Sequence, residues 1–277
     1  MGPLIQPFIE NEFMVRALLA GVLVSLACAV VGTYVVLRGM AFIGDALAHG
    51  VLPGVALALL IGLPSLLGAA VGAGVMIGGV GLVTKKSRLS SDSAIGLLFI
   101  GLLALGVVLV SSSDSLGTSL EAILFGEFLG VNATDLWIQT AALVVVGITA
   151  TWASRPFLLL CFDRDQAQVM GYRADAYHRL MLVLVAGTIV VSFQTVGSLL
   201  VFGMLLAPAG IGALLARRVG VMMIWAAISG SVSTYVGLLL SYHFEWAAGA
   251  SVVLVAVALF FVVLIVTSFR PNRGADS

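Results

Sequence analysis

Long apolar stretches separated by short polar segments run the length of this 277-residue chain. They cover roughly 14–37, 40–62, 65–83, 94–111, 135–153, 180–201, 203–216, 220–241 and 247–268. The hydrocarbon core of a bilayer takes about 20 apolar residues per helix, so each run of that length predicts a transmembrane helix. The run at 203–216 is shorter and holds Pro208, Gly210 and Gly212, which suits a full span, a broken helix or a re-entrant piece. The pattern predicts an all-α polytopic membrane protein with eight or nine transmembrane helices, built as a single transmembrane domain over residues 1–277.

Composition changes this picture only by removing alternatives. Hydrophobic residues make up 61% of the chain, charged residues 9%, and the mean hydropathy is +1.19. Soluble domains carry about a quarter charged residues, so a chain this apolar needs a lipid bilayer around it. The 32 glycines fit closely approaching membrane helices. Formal net charge is zero, which gives no reason to invoke nucleic acid. The two cysteines, Cys28 and Cys161, show neither a disulfide framework nor metal-thiolate spacing. The segment before the first apolar run is not basic and carries Glu10 and Glu12 instead, so no cleaved signal peptide is expected.

Charge sets direction. Arg38, Lys85, Lys86, Arg88, Arg155, Arg164, Arg173, Arg179, Arg217, Arg218, Arg270 and Arg273 fall at alternate span ends, and only Arg16 lies elsewhere. The positive-inside rule makes those ends, and the C-terminus, cytoplasmic. With nine spans the N-terminus is outside. So is the 112–134 connection, whose Asp114, Glu121 and Glu127, followed by Asp135, read either as an ordinary solvated loop or as a field that gathers cations.

Within the spans, ionisable groups concentrate in Gly44-Asp45-Ala46-Leu47-Ala48-His49-Gly50. Residues four apart project from one helix face. At about 1.5 Å per residue, a helix starting near residue 40 carries Asp45 roughly 8 Å and His49 roughly 14 Å into the membrane. Intramembrane ionisable groups usually face a cavity and mark a pathway. Carboxylate oxygen plus imidazole nitrogen suits borderline divalent metals, whereas a buried structural pair or a proton relay would use the same residues. Pro53 and Gly54, one turn on, either break the helix near the site or make a packing kink. His243 and Glu245 form a second pair at an outer turn, read as interfacial residues or as outer metal capture. His178, beside Arg179 in an inner loop, is expected to be solvated.

The inner connection at about 154–179 is the longest polar stretch on that side. Its Asp165-Gln166-Ala167-x-x-x-Gly171, preceded by Asp163, is similar to the ATPase-coupling loop of ABC importers. Gly171 would permit a tight turn after a short helix. No G-x-x-x-x-G-K-[ST] string is present, so the chain has no P-loop and is not itself an ATP-hydrolysing enzyme.

Arg16-Ala17-Leu18-Leu19-Ala20-Gly21 followed by VVGTYVVLRGMAFIGDALAHGVLPGVAL closely resembles the opening of the zinc/manganese/iron permease family of ABC importers. Leu124-Phe125-Gly126 before LGVNATDL, then FDRDQAQVMG and VGSLLVFGMLLAPAGIGALLARR, continue the resemblance in order along nearly the whole chain. It implies the ABC importer permease fold in a bacterial cytoplasmic membrane and a homodimer of the permease. It also implies a cytoplasmic ATP-binding subunit and an extracytoplasmic metal-binding protein. The family's intramembrane ligands map onto Asp45 and His49. The sequence departs at Ala48, where serine is usual, and at Gly50 for alanine. The cargo expected is Zn2+ or Mn2+ ahead of iron, with no permanently bound cofactor. The alternative is a proton-coupled secondary transporter that works without an ATPase.

Overall fold

The computed structural model describes residues 6–112 and 128–269, and among them every regular element is a helix. Asp114, Glu121, Glu127, the Leu124-Phe125-Gly126 string, Arg270 and Arg273 lie outside the described residues. A short α1 (Gln6–Glu10) precedes α2 (Glu12–Leu37), α3 (Ala41–Gly50), α4 (Leu52–Leu60), α5 (Ser65–Lys86) and α6 (Ser91–Ser111). After the undescribed connection come α7 (Ala133–Trp152), α8 (Ser154–Phe162) and α9 (Arg164–Val169). A helical run Ala174–Leu215 follows, interrupted at Gly197. Its two spans, Ala174–Phe193 and Thr195–Leu215, are α10 and α11. α12 (Val219–Phe244) and α13 (Ala248–Ser268) close the chain.

Nine of these segments, counting α3 with α4, are long and apolar enough to cross a membrane, which settles eight against nine among the described residues. The short run at 203–216 is the later part of a full span that starts at Thr195. The break sits at Gly197, with φ 77° and ψ 164°, a backbone region open only to glycine. The glycine nearer the expected boundary has a packing role instead: a Cβ on Gly203 would lie 2.8 Å from Val253 Cγ1.

Two contacts show that α10 and α11 run antiparallel. Arg38, just past α2, touches His178 near the start of α10. Gly32, late in α2, abuts the Leu205 carbonyl and Ala209 in the second half of α11. Both halves therefore bring their basic ends to the same end of α2. A straight 42-residue helix would also overrun a core of about 30 Å by roughly a factor of two. The turn is held from the side by Gln139 of α7, whose amide donates to the Thr195 hydroxyl.

α2 is the central helix, packed against α7, α10, α11 and α12. Glycines let it do so: a Cβ on Gly32 would lie 2.1 Å from the Leu205 carbonyl oxygen. Such small-residue contacts drive association where lipid removes the hydrophobic effect. Arg16, the basic residue that breaks the sidedness pattern, is paired with Glu12 one turn back. Asp135 is a capping residue: Asn132 and Asp135 exchange side-chain and backbone hydrogen bonds of 3.0 and 3.1 Å at the start of α7.

Candidate metal centre and coupling elements

α3 packs on α11, α6 and α5 and buries most of its surface. Between residues 42 and 50 only Phe42, Asp45 and His49 escape burial. These positions are i, i+3 and i+7, so they form one open stripe along the helix. The back of α3 is seated tightly, since a Cβ on Gly44 would lie 2.8 Å from Leu205 Cδ2.

The Asp45 and His49 side chains are 25% and 26% exposed, and His49 Nε2 lies 3.5 Å from Asp45 Oδ1. An ion held at about 2.1 Å from one imidazole nitrogen and one carboxylate oxygen, with tetrahedral spread, sets the two donors about 3.4 Å apart. The pair is thus spaced to share one small divalent ion without rearrangement. His49 Nδ1 is buried with no hydrogen-bond partner. The face of the imidazole is fixed instead by Phe99 of α6, edge-on at 5.9 Å. Among the described residues no group of three or more His, Cys, Asp or Glu is placed to hold a metal. One chain therefore offers two protein ligands where a closed structural site uses four.

The helix divides at Val51, two residues before Pro53. Val51 keeps right-handed helical angles (φ −72°, ψ −27°), so the axis bends without unwinding. Pro53 has no N–H to offer the His49 carbonyl four residues back. Gly54 serves packing: its Cβ would fall 2.1 Å from the Gly68 carbonyl oxygen and 2.9 Å from Gly72 N of α5.

His243 and Glu245 stand at the other end of the bundle without pairing to each other. His243 Nδ1 is 2.9 Å from the Leu239 carbonyl, an acceptor only, so that nitrogen carries the hydrogen and Nε2 keeps its lone pair as an acceptor. Glu245 ends α12 in the left-handed conformation at φ 56°. Ser241 closes this turn by donating to the Trp246 carbonyl at 2.7 Å.

The inner connection forms a compact hairpin. Asp163 caps α9, its Oδ1 accepting from Asp165 N at 2.8 Å and Gln166 N at 3.0 Å. Gly171 ends the helix at φ 85°. Gly171 N donates to the Gln168 carbonyl and Tyr172 N to the Ala167 carbonyl, the paired bonds of a Schellman cap. Ala167 is fully buried against Leu160 and Ala174, which fixes α9 on α8 and α10. Arg164 pairs with Asp175. The outward side carries bare apolar groups, with Phe162 77% and Val169 88% exposed.

His178 differs from its expected solvated state. It is half-buried, with Nδ1 2.8 Å from Arg38 Nη1. A guanidinium only donates, so Nδ1 is the acceptor and the ring hydrogen sits on Nε2. Cys161 lies beside them in α8, and burial pushes its thiol up to about 11 against the opposing charge of Arg38. The Arg38–His178 link and the Phe99 contact escape sequence reasoning because each partner comes from a distant run. Phe42, by contrast, was readable from its spacing to Asp45 and His49.

The model of the ABC 3 transport family matches residues 10–267. The chain is 39% identical over 266 residues to the manganese transport system membrane protein MntC of Halalkalibacterium halodurans, covering 96% of this chain and 90% of that protein. It is also 39% identical over 269 residues to a Haemophilus influenzae protein described as a probable iron transport system membrane protein, covering 96% and 98%. Among solved structures, PsaBC from Streptococcus pneumoniae in complex with Fab matches with a TM-score of 0.85 and 33% identity, over 94% of both chains.

Proposed function

The chain belongs to the ABC 3 transport family, and on that premise we propose that it forms the membrane pathway of an ATP-driven importer for divalent manganese. It is a permease subunit that works with an ATPase. Manganese stands ahead of zinc because the relatives described above are named for manganese and for iron. Carboxylate oxygen with imidazole nitrogen is a ligand set compatible with Mn2+.

The observation that carries the reading is the Asp45–His49 pair, spaced at 3.5 Å on the open stripe of α3. A second copy of the permease, related by a two-fold axis along that stripe, would bring a second pair and complete a four-ligand set. A site made this way binds when the copies approach and weakens when they part, which transport requires. The basic ends and the C-terminus face the cytoplasm under the positive-inside rule. There the hairpin of α8 and α9, with α9 capped by Asp163 and ended by Gly171, presents Phe162 and Val169 for the ATP-binding subunit. An extracytoplasmic binding protein delivers the ion at the opposite end. No relative described above supports the proton-coupled alternative.

The test is uptake of manganese, iron and zinc by the permease reconstituted with its ATPase and binding protein. ATP-dependent manganese uptake, lost in Asp45→Asn and His49→Ala complexes that still assemble, is the expected result. Wild-type uptake by an assembled His49→Ala complex, or uptake that needs no ATP, overturns the proposal.

A further inference from the structure

The open stripe of α3 extends past the ligand pair. Phe42 lies on the same face as Asp45 and His49, about one turn of helix from Asp45 toward the basic end. It is 48% exposed, whereas Ile43 and Gly44 beside it are buried. An aromatic ring of α6 lies against it. Phe99 of α6 meets Phe42 edge-on at 6.2 Å and 66°. The same ring meets His49 at 5.9 Å and 63°. Phe99 therefore bridges an ion ligand and the apolar group that lies between this ligand and the basic end.

We propose that Phe42, seated on Phe99, is the gate that closes the ion site from the cytoplasm, and that Phe99 ties its opening to the position of His49. This rests on the reading of Asp45 and His49 as the ion site. Along the open stripe Phe42 is the next unburied residue from Asp45 toward the basic end, on the route an ion would take by that face. A constriction lined by aromatic rings excludes water, and a divalent ion does not cross it dry. Movement of α3 against α6 separates Phe42 from Phe99 and takes the Phe99 ring off His49 in the same step. Opening of the path and loosening of a ligand then occur together, which gives the ion a direction.

The gate is tested in proteoliposomes holding the assembled permease, its ATPase and its binding protein, with a manganese-sensitive dye inside. Manganese entry is followed without ATP, and Mn2+ binding is measured separately on the same complexes by electron paramagnetic resonance. Phe42→Ala is expected to bind Mn2+ as wild type does and to raise ATP-independent flux about tenfold or more. Phe99→Leu, which keeps apolar bulk but loses the ring, is expected to leak and to bind more weakly, while Phe99→Tyr restores both. Phe42→Trp covers the case in which the alanine variant fails to assemble: it is expected to slow ATP-driven uptake with binding unchanged. Tight liposomes with Phe42→Ala, or wild-type uptake with Phe42→Trp, overturn the gate. Failure of the ion-site reading gives a different result, Mn2+ binding that survives Asp45→Asn.

Discussion

Arg38 Nη1 donates to His178 Nδ1 at 2.8 Å, joining the end of the first span to the foot of α10. The bond couples the central helix to the segment that carries the α9 hairpin. Removing the imidazole leaves a half-buried guanidinium short of an acceptor, so His178→Leu is expected to destabilise by about 1.5–3 kcal/mol. Arg38→Met together with His178→Leu removes both groups and is expected to cost less than the sum of the single changes, by about 1–2 kcal/mol. Thermal unfolding of the four detergent-solubilised proteins measures the difference. Additive losses would show that the two side chains do not depend on each other.

Ligand geometry at Asp45 and His49 makes a sharper demand than ligand identity. Asp45→Glu keeps the carboxylate but moves it by one methylene, away from the 3.5 Å spacing to His49. Half-saturating manganese is expected to rise by about ten- to a hundredfold, the range seen when metal-site supports are disturbed. Uptake titrations on the complete complex read this directly, and an unchanged half-saturation would mean that the spacing is incidental.

The α4–α5 crossing is expected to reject a single methyl group. A Cβ at Gly54 meets the Gly68 carbonyl oxygen at 2.1 Å, and that atom is backbone, so relief requires the helices to part. Gly54→Ala is expected to cost about 1–3 kcal/mol. Gly74 on α5 has nothing within 4 Å of its added Cβ and supplies the control. Gly74→Ala is expected to be neutral or to stabilise by up to about 1 kcal/mol. Comparable melting temperatures for the two variants would remove the close crossing as a constraint.

Burial holds the Cys161 thiol at about 11, above its ordinary 9.0, with Arg38 pulling the other way. The folded state therefore keeps this proton more tightly than the unfolded chain. The stability it contributes is complete below about pH 9 and is lost as pH rises through about 11. Alkylation of Cys161 is expected to be slow at neutral pH and to speed up toward pH 11. Arg38→Met removes the opposing charge and is expected to slow it further. Mass-spectrometric labelling rates on the intact protein would expose the opposite trend.

What was legible in the sequence follows the range of the interactions involved. The Asp45–His49 pair needed only one turn of helix to bring it together, so spacing sufficed. The α9 hairpin was equally local: an N-capping aspartate at Asp163 and a left-handed glycine at Gly171 both act within a few residues. Gly197 was missed because the polar residues beside it, Ser192, Gln194, Thr195 and Ser198, are uncharged and sit within an otherwise apolar run, so the break was placed at Phe202–Gly203 instead. His178 was misread because its neighbour in sequence, Arg179, suggested solvent, while its partner Arg38 comes from another helix. Phe99 carries no signal in its own run; its importance lies wholly in the two rings it meets.

The hairpin at Gly197 bears on how the protein is made. Ordinary neighbouring spans reach the bilayer separately, with a polar loop translocated between them. α10 and α11 have no such loop, so the insertion machinery receives them as one continuous helical run of 42 residues. They enter as a closed pair, or the backbone groups at the turn are left in lipid without partners. The side chain that braces the turn, Gln139, belongs to α7, which is synthesised earlier. Order of synthesis thus supplies the template before the segment that needs it, and a chain lacking α7 would be expected to stall with α10 inserted and α11 still outside the fold.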